Sequence, residues 1–183
     1  PLFLVELKLR QKVKYGFWFF QDHFHCLGLF SRHYGYFSQN GQDYYLNKYY
    51  FKEQDNGFFV DIGTFEPMFD NATYYFEKKG WAGVAIEPQP AHVEKWRTDR
   101  RTPIVHAAAS SGPGETKFMV VQHPEIMNYN AWSGISGTIA NEKLQQLPDG
   151  ATRHEITVPT VSVASVLRDQ KVSKVDFLSI DVE

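Results

Sequence analysis

Three stretches of the 183-residue chain are apolar almost without alternation: Gly57–Gly63 (GFFVDIG), Gly83–Pro88 (GVAIEP) and Lys174–Glu183 (KVDFLSIDVE). Strands of this kind are covered on both faces, as in a parallel sheet. After the first run, Asp70 or Asn71 can cap a helix that extends to about Lys79, and Gly80 suits its stop. PAHVEKWRTDRR (Pro90–Arg101) predicts a short helix, TPIVHAAAS (Thr102–Ser110) a third strand, and GETKFMVV (Gly114–Val121) a fourth after an SSGPG turn. Residues 122–153 read as loops around a short helical NEKLQQL, and Ile156–Gln170 as extended, then helical. Ahead of the first strand, SQNGQDYYLNKYYF (Ser38–Phe51) sets Tyr45, Leu46, Tyr49 and Tyr50 at helix-face spacing. Residues 1–37 form an aromatic segment of no clear period.

Strand–helix alternation of this type predicts a doubly wound α/β sheet. Its strands finish on acids: Asp61-Ile62-Gly63, Glu87-Pro88 and Asp181-Val182-Glu183. In such sheets ligands sit beyond the carboxyl ends of the strands, so the three acidic ends are expected on one rim.

Composition narrows the partners. A net charge of −2 gives no general attraction to nucleic acid or anionic lipid. Neither PLFLVELKLRQ nor YGFWFFQDHFHCLGLF reads as a membrane span, because charges and histidines interrupt them. The single cysteine, Cys26, excludes an internal disulfide framework and fits the cytoplasm. His23-x-His25-Cys26 lacks the further ligands a metal site needs, so no metal is expected. Arg97, Arg100 and Arg101 read as a solvated helix end.

Gly63 lets the chain turn sharply after a strand and come close to a ligand. Glu87, 24 positions later, suits the two hydroxyls of a ribose. A dinucleotide site would need more glycines, yet Thr64, Phe65, Glu66, Pro67 and Met68 follow Gly63, and Glu66 would repel a pyrophosphate. S-adenosylmethionine has no phosphate and carries cationic groups that carboxylates welcome.

The blocks SQNGQD, FFVDIGTFEPMFDNATYYFEKKGWAGVAIEPQP and VDFLSIDVE together resemble the FkbM-type methyltransferases, in particular a subgroup with an S-Q-x-G-Q-D lead-in. The most specific part is N-x-T-x-x-x-x-x-x-G-W-x-G-x-x-I-E-P, from Asn71 to Pro88. The resemblance implies a class I, Rossmann-like methyltransferase sheet over residues 38–183, with strand order 3-2-1-4 and truncated after the fourth core strand. It implies S-adenosylmethionine as cofactor and a hydroxyl of a sugar, glycan or natural product as acceptor. By position, Asp61, Gly63, Thr64, Asn71, Glu87 and Pro88 are the expected cofactor contacts, and Asp181 and Glu183 the catalytic pair. Asp70 replaces the family's usual serine before the loop asparagine.

Two other readings remain open at this point. One is an NAD-dependent oxidoreductase. The other is a non-catalytic interaction module docking through residues 1–37. The strand ending at Glu183 is expected to lack its outer neighbour. Residues 1–183 alone are therefore expected to behave as a fragment that associates through this edge and transfers no methyl group.

Overall fold

The computed structural model describes residues 32–52, 54–125, 132–139 and 145–182. The histidine–cysteine cluster, Glu183 and most of NEKLQQL lie outside the described residues.

Four strands make the main sheet: β1 (Phe58–Ile62), β2 (Ala82–Glu87), β3 (Ile104–His106) and β8 (Phe177–Ile180). All pair in parallel, in the order β3-β2-β1-β8. This is the expected 3-2-1-4, with β8 as the fourth core strand. Helix α2 (Ala72–Lys79) joins β1 to β2, and α3 (Pro90–Asp99) joins β2 to β3. Asn71 is the cap of α2: its Oδ1 accepts from the Thr73 and Tyr74 N–H groups, both at 3.0 Å. Gly80 ends the helix with a left-handed φ of 104°.

GETKFMVV is not a fourth strand of this sheet. The nine-residue β5 (Gly114–Gln122) runs antiparallel to β7 (Thr152–Val161) in a second sheet. Its other members are β4 (Ala108–Ala109) and β6 (Gly134–Ile135), and the order is β4-β7-β5-β6. A parallel crossover needs about a dozen residues or more, and the turn between β4 and β5 is far too short for one. The third apolar run is accordingly divided: Ile104–His106 stays in the main sheet and Ala108–Ala109 enters the second.

The main sheet is covered on both faces, as its unbroken apolar runs require. Val60, Ile62, Val84 and Ile86 pack with Val166 of α4 (Val163–Asp169). On the other face Phe59, Phe76 of α2 and Trp81 form one aromatic cluster. Along β1, Asp61 shares the Phe59 side and so lies beside the start of α2. Strand β8 ends the sheet among the described residues, with Leu178 and Ile180 exposed.

The segment ahead of β1 reverses the usual burial order. Helix α1 (Gln42–Tyr45) passes into a π turn over Leu46–Tyr50, where the Phe51 N–H donates to the Leu46 carbonyl at 2.8 Å. Asp43 and Asn47 are buried here, whereas Tyr45 is 63% and Tyr49 60% exposed. Of the four residues at helix-face spacing, only Leu46 packs against the aromatic cluster.

Candidate active site

The turn after β1 is built around Gly63, at φ 76°. Its N–H donates to the Ile86 carbonyl at 3.0 Å, and the Asp181 N–H donates to Ile62 O at 2.9 Å. A side chain at position 63 would overlap the Asp181 carbonyl oxygen. The glycine therefore serves close packing of two strand ends as well as the turn.

Glu87 closes β2 and is buried. Its Oε2 accepts from the Thr64 N–H at 2.9 Å and the Phe65 N–H at 3.4 Å, and its Oε1 from the Gln89 N–H at 2.8 Å. The Thr64 hydroxyl is 3.4 Å from the same carboxylate, and His92 Nδ1 is 3.7 Å from it. Three donors crowd Oε2, whereas Oε1 takes only the Gln89 N–H, so the carboxylate is fixed in place and Oε1 keeps a lone pair for a ligand hydroxyl. These bonds also hold Phe65 at φ 46°, a left-handed conformation that non-glycine residues seldom adopt. Phe65 sits where the second glycine of a dinucleotide fingerprint would fall.

Asp61 is buried at the start of α2. Its Oδ2 accepts from Thr73 Oγ1 at 2.7 Å and Asn71 Nδ2 at 3.1 Å. Burial pushes its carboxyl above the ordinary range; the Thr73 and Asn71 bonds and the Arg100 charge oppose this without cancelling it. Folded Asp61 thus takes up a proton more readily than unfolded Asp61. Its ionised form costs stability at neutral pH, and the cost fades as pH falls through the folded-state value. Asp61→Asn is therefore expected to raise the urea midpoint at pH 7, with the gap closing toward acid. A variant no more stable than the parent at neutral pH would contradict this account.

Beneath Asp61 lies a cation the sequence did not reveal. Arg100 is buried, not solvated, whereas Arg97 pairs with Glu94 on the exposed helix surface. Arg100 Nε donates to Glu77 Oε2 at 2.9 Å, and its NH groups to the Pro67 carbonyl, to Asn71 Oδ1 at 3.3 Å and to Thr73 Oγ1 at 3.2 Å. Its guanidinium lies 4.0 Å from the Trp96 ring centroid. One buried ion thus fixes the loop between β1 and α2.

A second lock precedes β1. The buried Asp43 carboxylate accepts from the Phe37 N–H at 2.6 Å and the Ser38 N–H at 3.1 Å, and its other oxygen from Ser38 Oγ at 2.5 Å. The first and last residues of SQNGQD thereby close a turn on each other. Ser38 also forms a parallel bridge with Asp70, whose side chain pairs with Arg32.

Two cavities open on the strand-end rim. One, of about 560 Å³, is bounded by Ile62, Ile86, Glu87, Pro88, Ala108 and Phe118, among others. The other, of about 1200 Å³, includes Asp61, Thr64 and Asn71 in its lining. Gly63, Phe65, Ile180 and Asp181 border both. The expected site residues that are described therefore converge on one place, as the strand-end rule requires. Asp181 stands at the junction, with no side-chain partner among the described residues.

A parallel sheet in this order, with a glycine turn after its first strand and an acid closing its second, fits the class I methyltransferase type of α/β fold. The Methyltransferase FkbM domain matches residues 61–183, more than half of the chain, and the protein belongs to that family. No curated protein and no solved structure matches the chain. The family match begins at Asp61, so the Ser38–Asp43 turn lies ahead of it. An oxidoreductase is not favoured: Phe65 and Met68 stand where a dinucleotide fingerprint has its second and third glycines. Among the described residues, no helix is long and apolar enough to cross a membrane.

Proposed function

We propose that this protein is an S-adenosylmethionine-dependent O-methyltransferase acting on a hydroxyl of a sugar, glycan or natural product. The observation that carries the reading is Glu87: a buried carboxylate, fixed by three backbone N–H groups, bordering a largely apolar cavity of nucleoside size. In this reading the domain spans residues 38–183, and the Ser38–Asp70 bridge, which joins the lead-in to the β1–α2 loop, supports a start ahead of the family match. That supports the subgroup with the S-Q-x-G-Q-D lead-in. The single cysteine supports a cytoplasmic setting.

The residues suit the cofactor. The larger cavity is lined by four carboxylates and by no lysine, arginine or histidine. Asp70 is paired with Arg32 and Glu66 with Lys95 behind the lining, which leaves Asp61 and Asp181 as the two carboxylates outside an ion pair among the described residues. Such a lining favours a ligand with net positive charge over a phosphate. When bound, S-adenosylmethionine supplies a methyl group on a sulfonium and leaves as a neutral thioether. In this reading Glu87 and Pro88 hold the ribose end, and Gly63 and Thr64 present backbone along the ligand. Asp61, held by Thr73 and Asn71, offers its charge to the cationic end. Asp181 lies at the mouth of both cavities and takes the proton of the acceptor hydroxyl. Glu183, in the same sequence block, is proposed as its partner. The remaining contribution is positioning: acceptor oxygen and methyl donor are held at the shared border of the two cavities.

Calorimetry with S-adenosylmethionine on the longest available chain tests the reading. Binding to the parent protein is expected, with about 100-fold loss in Glu87→Ala, as for two hydroxyls deprived of a charged acceptor. Absence of binding to the parent, or equal binding by the variant, would overturn it.

A further inference from the structure

The larger cavity holds more than one end of a cofactor. Its outer wall comes from a part of the chain ahead of the family match, the Ser38–Gln42 turn and the Tyr44–Tyr49 segment, together with Phe69. This wall is inverted with respect to ordinary burial. Asp43 and Asn47 point inward, Asp43 to close the turn and Asn47 to meet the Tyr36 hydroxyl at 3.0 Å and Lys79 Nζ at 2.9 Å. Tyr45 and Tyr49 are left standing at the cavity, each at least 60% exposed, with ring centroids 5.2 Å apart. The π turn at Leu46–Tyr50 sets their spacing. Local π turns are costly and recur at functional sites. The Tyr44 hydroxyl is pushed above its ordinary value by a hydrogen bond to Tyr49, which ties these two rings together without a ligand. Gln39, Asn40 and Gln42 occupy the turn beside them, held by the Asp43 lock.

Each feature selects chemistry. Exposed tyrosine faces in a concave site pack against the flat apolar face of a ring. Carboxamides donate and accept at once, which suits hydroxyl groups. Arg32 and Lys95 are engaged by Asp70 and Glu66, and the two lining carboxylates outside an ion pair, Asp61 and Asp181, would repel an anionic group.

We infer that the outer half of the larger cavity is the acceptor site, with Tyr45, Tyr49 and the Gln39–Gln42 turn as its specificity-determining wall, and that it takes a hydroxylated ring bearing no negative charge. The inference rests on the methyltransferase reading for the word acceptor. The binding itself can be measured without transfer.

The test is saturation-transfer NMR on the protein, comparing methyl glucoside with glucuronate, rings that differ in charge. Methyl glucoside is expected to bind, and glucuronate at least about tenfold more weakly at low salt, with the gap shrinking at about 0.5 M salt as the carboxylates are screened. Tyr45→Ala and Tyr49→Ala remove exposed side chains, so the fold should survive, which circular dichroism checks. Each is expected to weaken methyl glucoside about fivefold or more. Glucuronate binding as tightly as methyl glucoside, no binding by either ring, or tyrosine variants that bind like the parent would overturn the inference. A parallel titration with S-adenosylmethionine judges the transfer reading separately. Cofactor binding without charge discrimination sinks the acceptor site alone. Discrimination without cofactor binding upholds the site and sinks the transfer reading.

Discussion

Arg100→Leu will lower the stability of the folded protein by about 3–5 kcal/mol, the range expected when one partner of a buried ion pair is removed. The loss exceeds that of a surface pair because the Arg100 side chain is fully buried and Glu77 nearly so. Without the guanidinium, the Pro67 carbonyl loses its donor, and the Glu77 carboxylate keeps only the Thr102 groups and the Arg101 N–H. Arg100→Lys will recover little, since an ammonium cannot reproduce the planar fork that reaches Glu77, Pro67, Asn71 and Thr73 together. Urea denaturation of the three proteins gives the comparison. A leucine variant within about 1 kcal/mol of the parent would show that the network contributes little. The pH dependence supplies a second check. Burial pushes the Glu77 carboxyl up, but the Thr102 hydroxyl, the Arg101 N–H and Arg100 outweigh it and leave it below the ordinary value. Stability from Glu77 is therefore present above the unfolded-state value and is lost as pH falls through the folded-state one. That acid-side loss should shrink in Arg100→Leu.

Gly63→Ala is expected to be nearly as damaging, and for a different reason. The left-handed backbone alone costs about 1–2 kcal/mol for a residue with a Cβ. The new carbon would also overlap the Asp181 carbonyl oxygen and lie 2.9 Å from Val182 Cγ1, so the end of β8 must move. The rim then loses the juxtaposition of Gly63 and Asp181 that both cavities share. We expect a cost of at least about 3 kcal/mol, backbone strain and packing together, and no detectable cofactor binding. Gly80→Ala is the control, because Gly80 also has positive φ but nothing lies within 4 Å of its Cβ position. It should show the backbone penalty alone. Equal losses at the two sites would remove the packing argument.

What the chain reveals before folding depends on whether a residue's partner is near in sequence. The parallel strands around Val60 and Val84 were legible because burial on both faces leaves an unbroken apolar run. The Asn71 cap and the Gly80 stop were legible because helix ends are satisfied locally. Glu87 could be anticipated from its distance to Gly63 along one strand–helix–strand unit. Arg100 could not: its partners at Pro67, Asn71, Thr73 and Glu77 are brought to it only when α2 and α3 settle on the sheet, and by itself an arginine at a helix end reads as solvated. The second sheet was missed for a similar reason. The stretch Gly114–Val121 carries a strand pattern, but its partner β7 lies beyond a loop-rich segment, and only the short turn after β4 hinted that a parallel return was impossible. The tyrosines at 45 and 49 misled in the opposite sense. Their helical spacing is real, yet the inward positions belong to Asp43 and Asn47, whose side chains satisfy backbone and hydroxyl groups that spacing does not display.

The parallel bridge between Ser38 and Asp70 makes one mechanical piece of the turn beside the tyrosines and the loop that follows Gly63. On the proposed reading the cofactor and the acceptor both rest on this piece, and whichever binds first orders it for the other. Whatever factor the first adds to the affinity of the second, the second returns to the first. A candidate acceptor should thus announce itself as a shift in the dissociation constant of S-adenosylmethionine, before any product is made. Compound libraries can then be screened by affinity alone, with a chemically inert cofactor analogue and no knowledge of which hydroxyl is modified.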